Sequence, residues 1–182
     1  MRDDESYMRL ALEEAEKAFA QGEIPVGAVI VDNATGEVLS LAHNEREASG
    51  DATAHAELLA IRRACAYLGR WRLSGCTLYV TLEPCPMCAG AIVMARLDRV
   101  VYGAVDSRAG ACESVFNIPG HPSLNHHPAM TAGVLDIACT GLLRRFFQSK
   151  RKGAVAKKKA FPIGEGGPRK RWMRCGHKVE TH

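Results

Sequence analysis

The chain has 182 residues, of which 47% are hydrophobic and 24% are charged. These proportions are ordinary for a globular protein, and the length suits one domain with a substantial core. No apolar run approaches the roughly 18 residues that cross a bilayer, which argues against a membrane-spanning helix. The N-terminal residues MRDDE are acidic and unlike a secretory signal. We therefore expect a cytoplasmic protein without a membrane partner.

The net charge of +4 is unevenly distributed along the chain. Residues 149–182 carry eleven Lys or Arg and two Glu, whereas residues 1–148 have a net charge of −5. A basic tail on a mildly acidic body indicates a polyanionic partner, although such a tail can also be a solubilising, disordered end. The seven cysteines are odd in number and scattered, which favours metal binding or core packing over disulfides.

The N-terminal part of the chain is predicted to form a helix followed by a hairpin. Apolar residues recur at helical spacing after Ser6, a candidate N-cap residue. A short apolar run, a turn and a returning strand follow. The predicted bounds are a helix over 6–20, a strand over 26–32, a turn over 33–36 and a strand over 37–44.

The rest of the chain alternates helices with strands, which predicts an α/β layer fold with a mixed sheet. Asp51 or Thr53 is a candidate cap for the first of these helices. Residues 106–128 are rich in Gly, Pro, Asn and His and are predicted to form a long functional loop. The predicted bounds are a helix over 51–69, a strand over 76–82, a helix over 85–96, strands over 99–105 and 130–134, and a last helix over 135–151.

These elements form one predicted domain, residues 1–152. The remaining residues, 153–182, are basic, weakly apolar and interrupted by Gly and Pro. We therefore expect this tail to be disordered without a partner.

Two short motifs contain residues that can bind a metal ion. The first is HAE over residues 55–57, and the second is PCPMC over residues 84–88. Cys85 and Cys88 are three residues apart at a predicted helix start, so their thiols lie on one face. With His55 they provide one imidazole and two thiolates, a set that suits zinc and leaves a fourth position open.

Glu57 lies two residues from His55, close to the expected metal without needing to bind it. A carboxylate there can accept a proton from an attacking water and pass it to a ring nitrogen and a leaving amine. The combined pattern H-x-E…P-C-x-x-C is a signature of zinc deaminases that act on nucleobases. The alternative is a structural zinc site closed by Cys112 or His121, which would leave Glu57 unexplained.

At these residues the sequence resembles the cytidine-deaminase-like superfamily. More closely, it is similar to the bacterial tRNA-specific adenosine deaminases, which convert adenosine to inosine at wobble position 34 of tRNA. The resemblance covers about residues 5–152 and implies a three-layer α/β/α fold with a mixed five-stranded sheet. It also implies one Zn²⁺ per subunit, a homodimer, and a tRNA anticodon stem-loop as partner. The matching stretches are PVGAVIV, HN, DATAHAELLAIRRA, TLYVTLEPCPMCAGAIVMARLDRVVYGAVD and HPSLNHH.

The resemblance further implies roles for individual residues. His55, Cys85 and Cys88 match its zinc ligands, and Glu57 matches its proton-transferring residue. The residues that match contacts to the target nucleoside or the anticodon loop are Asn44, Asp106, His121, Asn125, His126, Phe146 and Lys150. Without the resemblance, Asn44 is typical of a turn, Asp106 of a cap and Phe146 of a core.

Several points stay open at the level of sequence. The loop SRAGACESVF over 107–116 contains Cys112 and Glu113, where many members have a small Ala-Gly-Ser stretch. Glu83 is either a support for the metal site or a charge on its rim. Two other functions fit the same motifs: a deaminase of free guanine, cytosine or a nucleoside, and a non-catalytic RNA-binding zinc protein.

Overall fold

The computed structural model describes residues 3–159 of the chain, with side chains as far as Lys152. The five predicted strands are all present, each within three residues of its predicted bounds. None of the described helices is both long enough and apolar enough to cross a bilayer. In chain order the elements are α1 (Asp4–Ala20), β1 (Gly27–Asp32), β2 (Val38–His43), α2 (Arg46–Ser49), α3 (Ala56–Leu68), β3 (Cys76–Leu82), α4 (Pro86–Ala95), β4 (Arg99–Ala104), β5 (Ala129–Thr131) and α5 (Asp136–Lys159).

The strands form one mixed sheet in the order β2-β1-β3-β4-β5. β1 is antiparallel to β2 and β3, whereas β3, β4 and β5 run parallel to one another. Leu82 pairs with Ala104 at the carboxyl ends of β3 and β4, and Val80 pairs with Ala28 near the start of β1. The segments that follow β3 and β4 therefore leave the sheet at the same edge, which is where ligands bind in open α/β sheets.

Alternate side chains of the central strands point to opposite faces of the sheet. Because both sets are buried and apolar, helices pack on both faces. Ala28 and Ile30 of β1 belong to a core cluster with α3 and α4. Val29 and Val31 of the same strand pack with α1 and α5. The fold is therefore the three-layer α/β/α arrangement that the resemblance implied.

Two helices begin at residues other than those predicted, because nearby carboxylates bond to the backbone. Asp3, not Ser6, is the N-cap of α1, since its Oδ1 accepts a hydrogen bond from the Ser6 N–H at 2.8 Å. Asp51 does not cap α3, because its carboxylate accepts a bond from the Thr53 N–H at 2.7 Å and closes a turn. α3 therefore begins only at Ala56, and the short α2 precedes that turn in a segment for which the sequence predicts no helix.

The last helix continues to Lys159, past the predicted end at residue 151. Residues 154–159 read AVAKKK, and Ala and Lys are strong helix formers that outweigh the single Gly153. The predicted domain boundary between residues 152 and 153 thus falls inside α5. Most of the predicted disordered tail, residues 160–182, lies outside the described residues, so its disorder stays a prediction.

Gly27 allows α1 to lie directly on β1. A Cβ atom at this position would overlap the backbone of α1 at Ala11 and Ala15. We expect Gly27→Ala to lower the free energy of unfolding by about 3 kcal/mol, because the helix must move away from the strand. Urea denaturation measures the loss. Gly141→Ala is the matched control, since its Cβ meets nothing within 4 Å in helix α5, and it should be neutral or stabilising.

Asp4 joins the start of α1 to the edge of the sheet at which β4 begins. Its carboxylate accepts hydrogen bonds from the Arg99 guanidinium at 2.7 and 2.9 Å and from the Tyr79 hydroxyl at 2.9 Å. The bonds from Arg99 hold the pKa of Asp4 below its usual range. The stabilisation is therefore complete above the ordinary carboxylate pKa and is lost as the pH falls through the lowered pKa.

This linkage predicts a pH dependence for Asp4→Asn. The variant should unfold more easily than the wild type at pH 7, and the difference should shrink as the pH falls below about 4. Urea denaturation at a series of pH values measures it. A difference that stays constant from neutral to acid pH would show that the Asp4 charge contributes nothing.

Candidate active site

The predicted metal ligands lie where two helices begin, at the carboxyl edge of β3. His55 is the N-cap residue of α3, and Cys85 is the N-cap residue of α4. Pro86 occupies the first turn of α4, where its missing N–H is tolerated, and Cys88 follows in the same turn. The two helix starts point their unpaired N–H groups toward one place, which favours thiolate ligands there.

The distances between the three ligand atoms fit a zinc ion. His55 Nδ1 lies 3.7 Å from Cys85 Sγ and 3.6 Å from Cys88 Sγ. A tetrahedral zinc with bonds of about 2.0 Å to nitrogen and 2.3 Å to sulfur would separate these atoms by about 3.5 Å. Among the described residues this is the single cluster of at least three His, Cys, Asp or Glu ligands, and neither Cys112 nor His121 belongs to it. Within residues 3–159, therefore, no fourth protein ligand closes the site as a structural zinc site would require.

The electrostatics of the cluster favour a thiolate at Cys85. A hydrogen bond from Cys88 lowers the pKa of the Cys85 thiol to about 4, against the opposing effect of burial, and His55 lowers it further. In turn, the hydrogen bond with Cys85 raises the pKa of His55. The cluster therefore holds negative charge on sulfur, the form in which cysteine binds a metal.

Glu57 lies in the first turn of α3, beside the ligands, and is 4% exposed. Its Oε2 is the one buried side-chain nitrogen or oxygen atom of the described residues without a hydrogen-bond partner. Burial raises the pKa of Glu57 to about 7, although the nearby His55 opposes the shift. A buried carboxyl with a free oxygen and a pKa near neutrality is suited to accept and return a proton.

Asn44 lies directly behind the ligand His55, at the end of β2. Its Oδ1 accepts a hydrogen bond from the Ala56 N–H at 3.0 Å, and its Nδ2 donates to the Ile24 carbonyl at 3.1 Å. The buried amide thus fixes the first turn of α3 to the segment before β1. The sequence alone indicates a turn residue at position 44 and does not predict its hydrogen bond with the Ala56 N–H.

Asp106 leaves β4 at the same edge as Cys85. Its Oδ1 accepts hydrogen bonds from the N–H groups of Arg108 and Ala109, so the side chain caps a turn. Its own N–H donates to the Glu83 carboxylate at 3.1 Å. Bonds from Ser114, Glu113 and Asp106 hold the pKa of Glu83 below its usual range, although burial alone would raise it.

The two unusual residues of the following loop have structural partners. Cys112 is fully buried in the core cluster of α3 and α4. Glu113 accepts a hydrogen bond from the buried Tyr102 hydroxyl at 2.6 Å. Both residues therefore tie the loop to the sheet.

The structure does not place the predicted RNA-binding residues His121, Asn125 and His126 beside the metal ligands. Asn125 accepts a hydrogen bond from Arg96, and His126 bonds to the Leu97 carbonyl at 2.6 Å. Both partners lie just past α4, whose ten residues span about 15 Å from its start beside Cys85. His121 is exposed, and its Nδ1 accepts a bond from the Ser123 N–H at 3.2 Å.

Phe146 and Lys150 of α5 flank a cleft on the Asn44 side. Phe146 is buried and packs edge-on against Phe19 of α1, with 5.7 Å between the ring centres, so much of its role is core packing. The Lys150 ammonium lies 5.1 Å from the centre of the Phe146 ring. The cleft has a volume of about 390 Å³ and is lined by Gln21, Gly22, Glu23, Ile24, Arg46, Glu47, Phe146 and Lys150.

The fold and the ligand cluster together define a zinc-dependent hydrolytic site. Residues 1–104 match the family described as the cytidine and deoxycytidylate deaminase zinc-binding region. The chain therefore belongs to this deaminase family, and His55, Cys85 and Cys88 form its zinc site.

Comparisons with individual proteins agree with this assignment. The chain is 48% identical to the tRNA-specific adenosine deaminase of Bacillus subtilis, over 87% of this chain and 98% of that protein. A structure from a study of A-to-I editing by tRNA:A34 deaminases is 43% identical, with a TM-score of 0.72 over 75% of this chain and 98% of the other. A guanine deaminase from Nitrosomonas europaea is 26% identical, with a TM-score of 0.68 over 80% of this chain and 85% of the other.

Proposed function

We propose that the protein is a zinc-dependent deaminase that converts adenosine to inosine at wobble position 34 of tRNA. The chemistry rests on one observation: the free Oε2 of buried Glu57 lies beside a three-ligand zinc site. The choice of substrate rests on the similarity to tRNA-specific adenosine deaminases over nearly their whole length. A tRNA substrate also implies a cytoplasmic enzyme.

In this proposal the reaction replaces the C6 amine of adenine with oxygen from water and releases ammonia. Bound zinc makes the attacking water a stronger nucleophile at neutral pH. Glu57 Oε2 accepts one proton from the attacking water and gives it to N1 of adenine. It then accepts the second proton, from the hydroxyl now bonded to C6, and gives it to the amine, which leaves as ammonia while the C6 carbonyl forms. With a pKa of about 7, the carboxyl can perform both transfers without a large energetic penalty in either direction.

The anticodon loop is a suitable RNA target because its unpaired bases can leave the stack at small cost. Asn44 is proposed to bound the pocket for the target nucleoside, and Asp106 is proposed to contact the anticodon loop. Phe146 and Lys150 are proposed to contact a flanking nucleotide in the cleft, where Lys150 and Arg46 lie beside Glu23 and Glu47. We also propose anticodon-loop contacts for His121, Asn125 and His126, since these positions match contacts in the family.

A homodimer is the second part of the proposal. The outer face of α4 carries Met87, Gly90, Ala91 and Met94 at helical spacing, and Met94 is 69% exposed. Such an apolar stripe is typical of an interface rather than a solvated surface. Sedimentation equilibrium should give a dimer for the wild type and a monomer for Met94→Glu. A wild-type monomer at micromolar concentration would contradict the dimer.

The competing function is a deaminase of a free base, which the similarity to a guanine deaminase keeps open. Ammonia release should be measured with a tRNA that contains A34, and with free adenosine, cytidine and guanine. We expect turnover of the tRNA alone. Turnover of free guanine without turnover of tRNA would keep the deaminase chemistry and reject the tRNA substrate. Binding of tRNA without any ammonia release would favour a non-catalytic RNA-binding protein.

The basic C-terminal segment predicts a salt effect on tRNA binding. Residues 160–182 carry five Lys or Arg and two Glu. If the segment contacts phosphates, a plot of log affinity for tRNA against log salt concentration should slope downward. Each contacted phosphate should contribute about 0.7 to the magnitude of that slope. Deleting residues 160–182 leaves all of α5 in place and should make the slope shallower in a filter-binding titration. An unchanged slope would assign the segment no phosphate contacts.

A further inference from the structure

Glu83 is a buried carboxylate that the zinc chemistry does not use. It lies between β3 and Pro84 and is 2% exposed. It does not belong to the metal-binding cluster, and the hydrogen bonds of its side chain go to backbone N–H groups. Glu83 is therefore not the exposed rim charge that was one interpretation of the sequence, and its support for the metal ligands stays a prediction.

The carboxylate collects four N–H groups from one loop. Oε1 accepts hydrogen bonds from Cys112, Glu113 and Ser114 at 3.1, 3.0 and 3.0 Å. Oε2 accepts a bond from Asp106 at 3.1 Å. Three consecutive amides that converge on one carboxylate oxygen form a compact, directed contact, and hydrogen bonds to an ionised acceptor are stronger than neutral ones.

The loop, residues 106–118, has further bonds that fix its shape around this contact. The Ala111 N–H donates to the Pro84 carbonyl at 2.8 Å, and the N–H groups of Val115 and Phe116 donate to the Gly110 carbonyl. A Cβ atom at Gly110 would collide with the Glu83 carboxylate and with Ser114. The backbone of the loop therefore lies directly against Glu83, two residues before the ligand Cys85.

We propose that Glu83 is a positioning residue that holds the 106–118 loop in its RNA-binding shape before the substrate arrives. The loop begins at Asp106 and exposes Val115 and Phe116, at 45% and 51%. An aromatic ring and an aliphatic side chain on a fixed backbone offer flat apolar surface to unstacked bases. This inference rests on the proposed RNA substrate, but the loop contact itself does not.

A positioning role through the loop predicts a particular kinetic signature. The substrate contacts the loop in the ground state and in the transition state alike, so loosening the loop weakens both equally. We therefore expect the KM for tRNA to rise about tenfold while kcat changes by less than about twofold. A role in supporting Cys85 would instead lower the zinc content or kcat.

Glu83→Gln is the first test, because it keeps the size of the side chain. Its single carbonyl oxygen can accept the three adjacent amides, but an NH₂ group then faces the Asp106 N–H, so at least one bond is lost. Gly110→Ala disturbs the same contact from the loop side and leaves the carboxylate intact. Asp4→Asn is the matched control, since Asp4 also accepts several hydrogen bonds but lies at the opposite edge of the sheet.

Hydrogen–deuterium exchange, zinc content and steady-state kinetics should be measured for all three variants. For Glu83→Gln and Gly110→Ala we expect faster exchange at residues 106 and 112–114, full zinc content and the raised KM. Asp4→Asn should change none of these. Unchanged exchange in the loop, or loss of zinc in Glu83→Gln, would overturn the positioning role. If the wild type does not deaminate tRNA, the proposed function fails, and the exchange measurement still decides whether Glu83 holds the loop.

Discussion

Replacing Glu57 by Gln should lower kcat by about 10²–10⁴-fold and leave the zinc in place. The substitution keeps the volume of the buried side chain but removes the carboxylate that can take up and release a proton. Because Oε2 has no hydrogen-bond partner among the described residues, an amide NH₂ at this position displaces no hydrogen bond of the fold. Zinc content by metal analysis and deamination of tRNA by ammonia release measure the two parts of this result.

Glu14→Gln is the matched control for this variant. Glu14 is 5% exposed, close to the 4% of Glu57, but its carboxylate is bonded to His43 and Lys17. We expect Glu14→Gln to be less stable and as active per folded molecule as the wild type. A Glu57→Gln enzyme with wild-type kcat would remove Glu57 from the chemistry.

Replacing Cys88 by Ala should abolish both zinc binding and activity. The change leaves His55 and Cys85 as the two remaining ligands of the described cluster, and two ligands do not hold zinc against ordinary chelators. We expect less than about 0.1 zinc per chain after dialysis and a lower melting temperature, because the bound metal stabilises the folded state alone. Metal analysis and calorimetry test this outcome.

Cys139→Ala provides the comparison within the same residue type. Cys139 is buried in the core of α1 and α5, against Gly103, and lies in a different layer from the zinc site. This variant should keep its full zinc content. Its free energy of unfolding should fall only slightly, because the packing of one small buried side chain is lost. A Cys88→Ala protein that keeps its zinc would contradict the ligand assignment.

The sequence predicted the metal site because the site is built from local patterns. Cys85 and Cys88 share one face of a helix start, and the apolar runs that precede them are long enough to be recognised as strands. His55 and Glu57 are likewise separated by two positions at the start of α3. Their meeting with the two cysteines follows from the packing of α3 beside α4 on one face of the sheet.

The supporting residues could not be predicted in the same way. The Glu83 carboxylate meets amides about thirty positions further along the chain, and Asn44 meets the Ala56 N–H twelve positions away. No periodicity signals such pairings, since they depend on where loops lie after the sheet has formed. The start of α3 was predicted too early for a related reason: Asp51 can cap a helix or close a turn, and only the fold decides which.

The family resemblance predicted which residues contact RNA, but it did not predict which neighbours hold those residues in place. It gave positions for Asn125 and His126, but not that Arg96 and Leu97 anchor them at the far end of α4. It also gave Phe146 without showing that the ring is buried against Phe19. Their contributions to RNA binding are proposals that the kinetics of single variants can decide.

We expect this site to deaminate the wobble adenosine of tRNA. The most direct measurement is to incubate the zinc-loaded protein with a tRNA that contains A34 and to locate inosine by reverse transcription, with the same tRNA carrying G34 as control. We expect inosine at position 34 alone, no inosine in the control tRNA, and at least about 100-fold slower inosine formation with Glu57→Gln. Unmodified A34 in the presence of a protein that deaminates free guanine would contradict it.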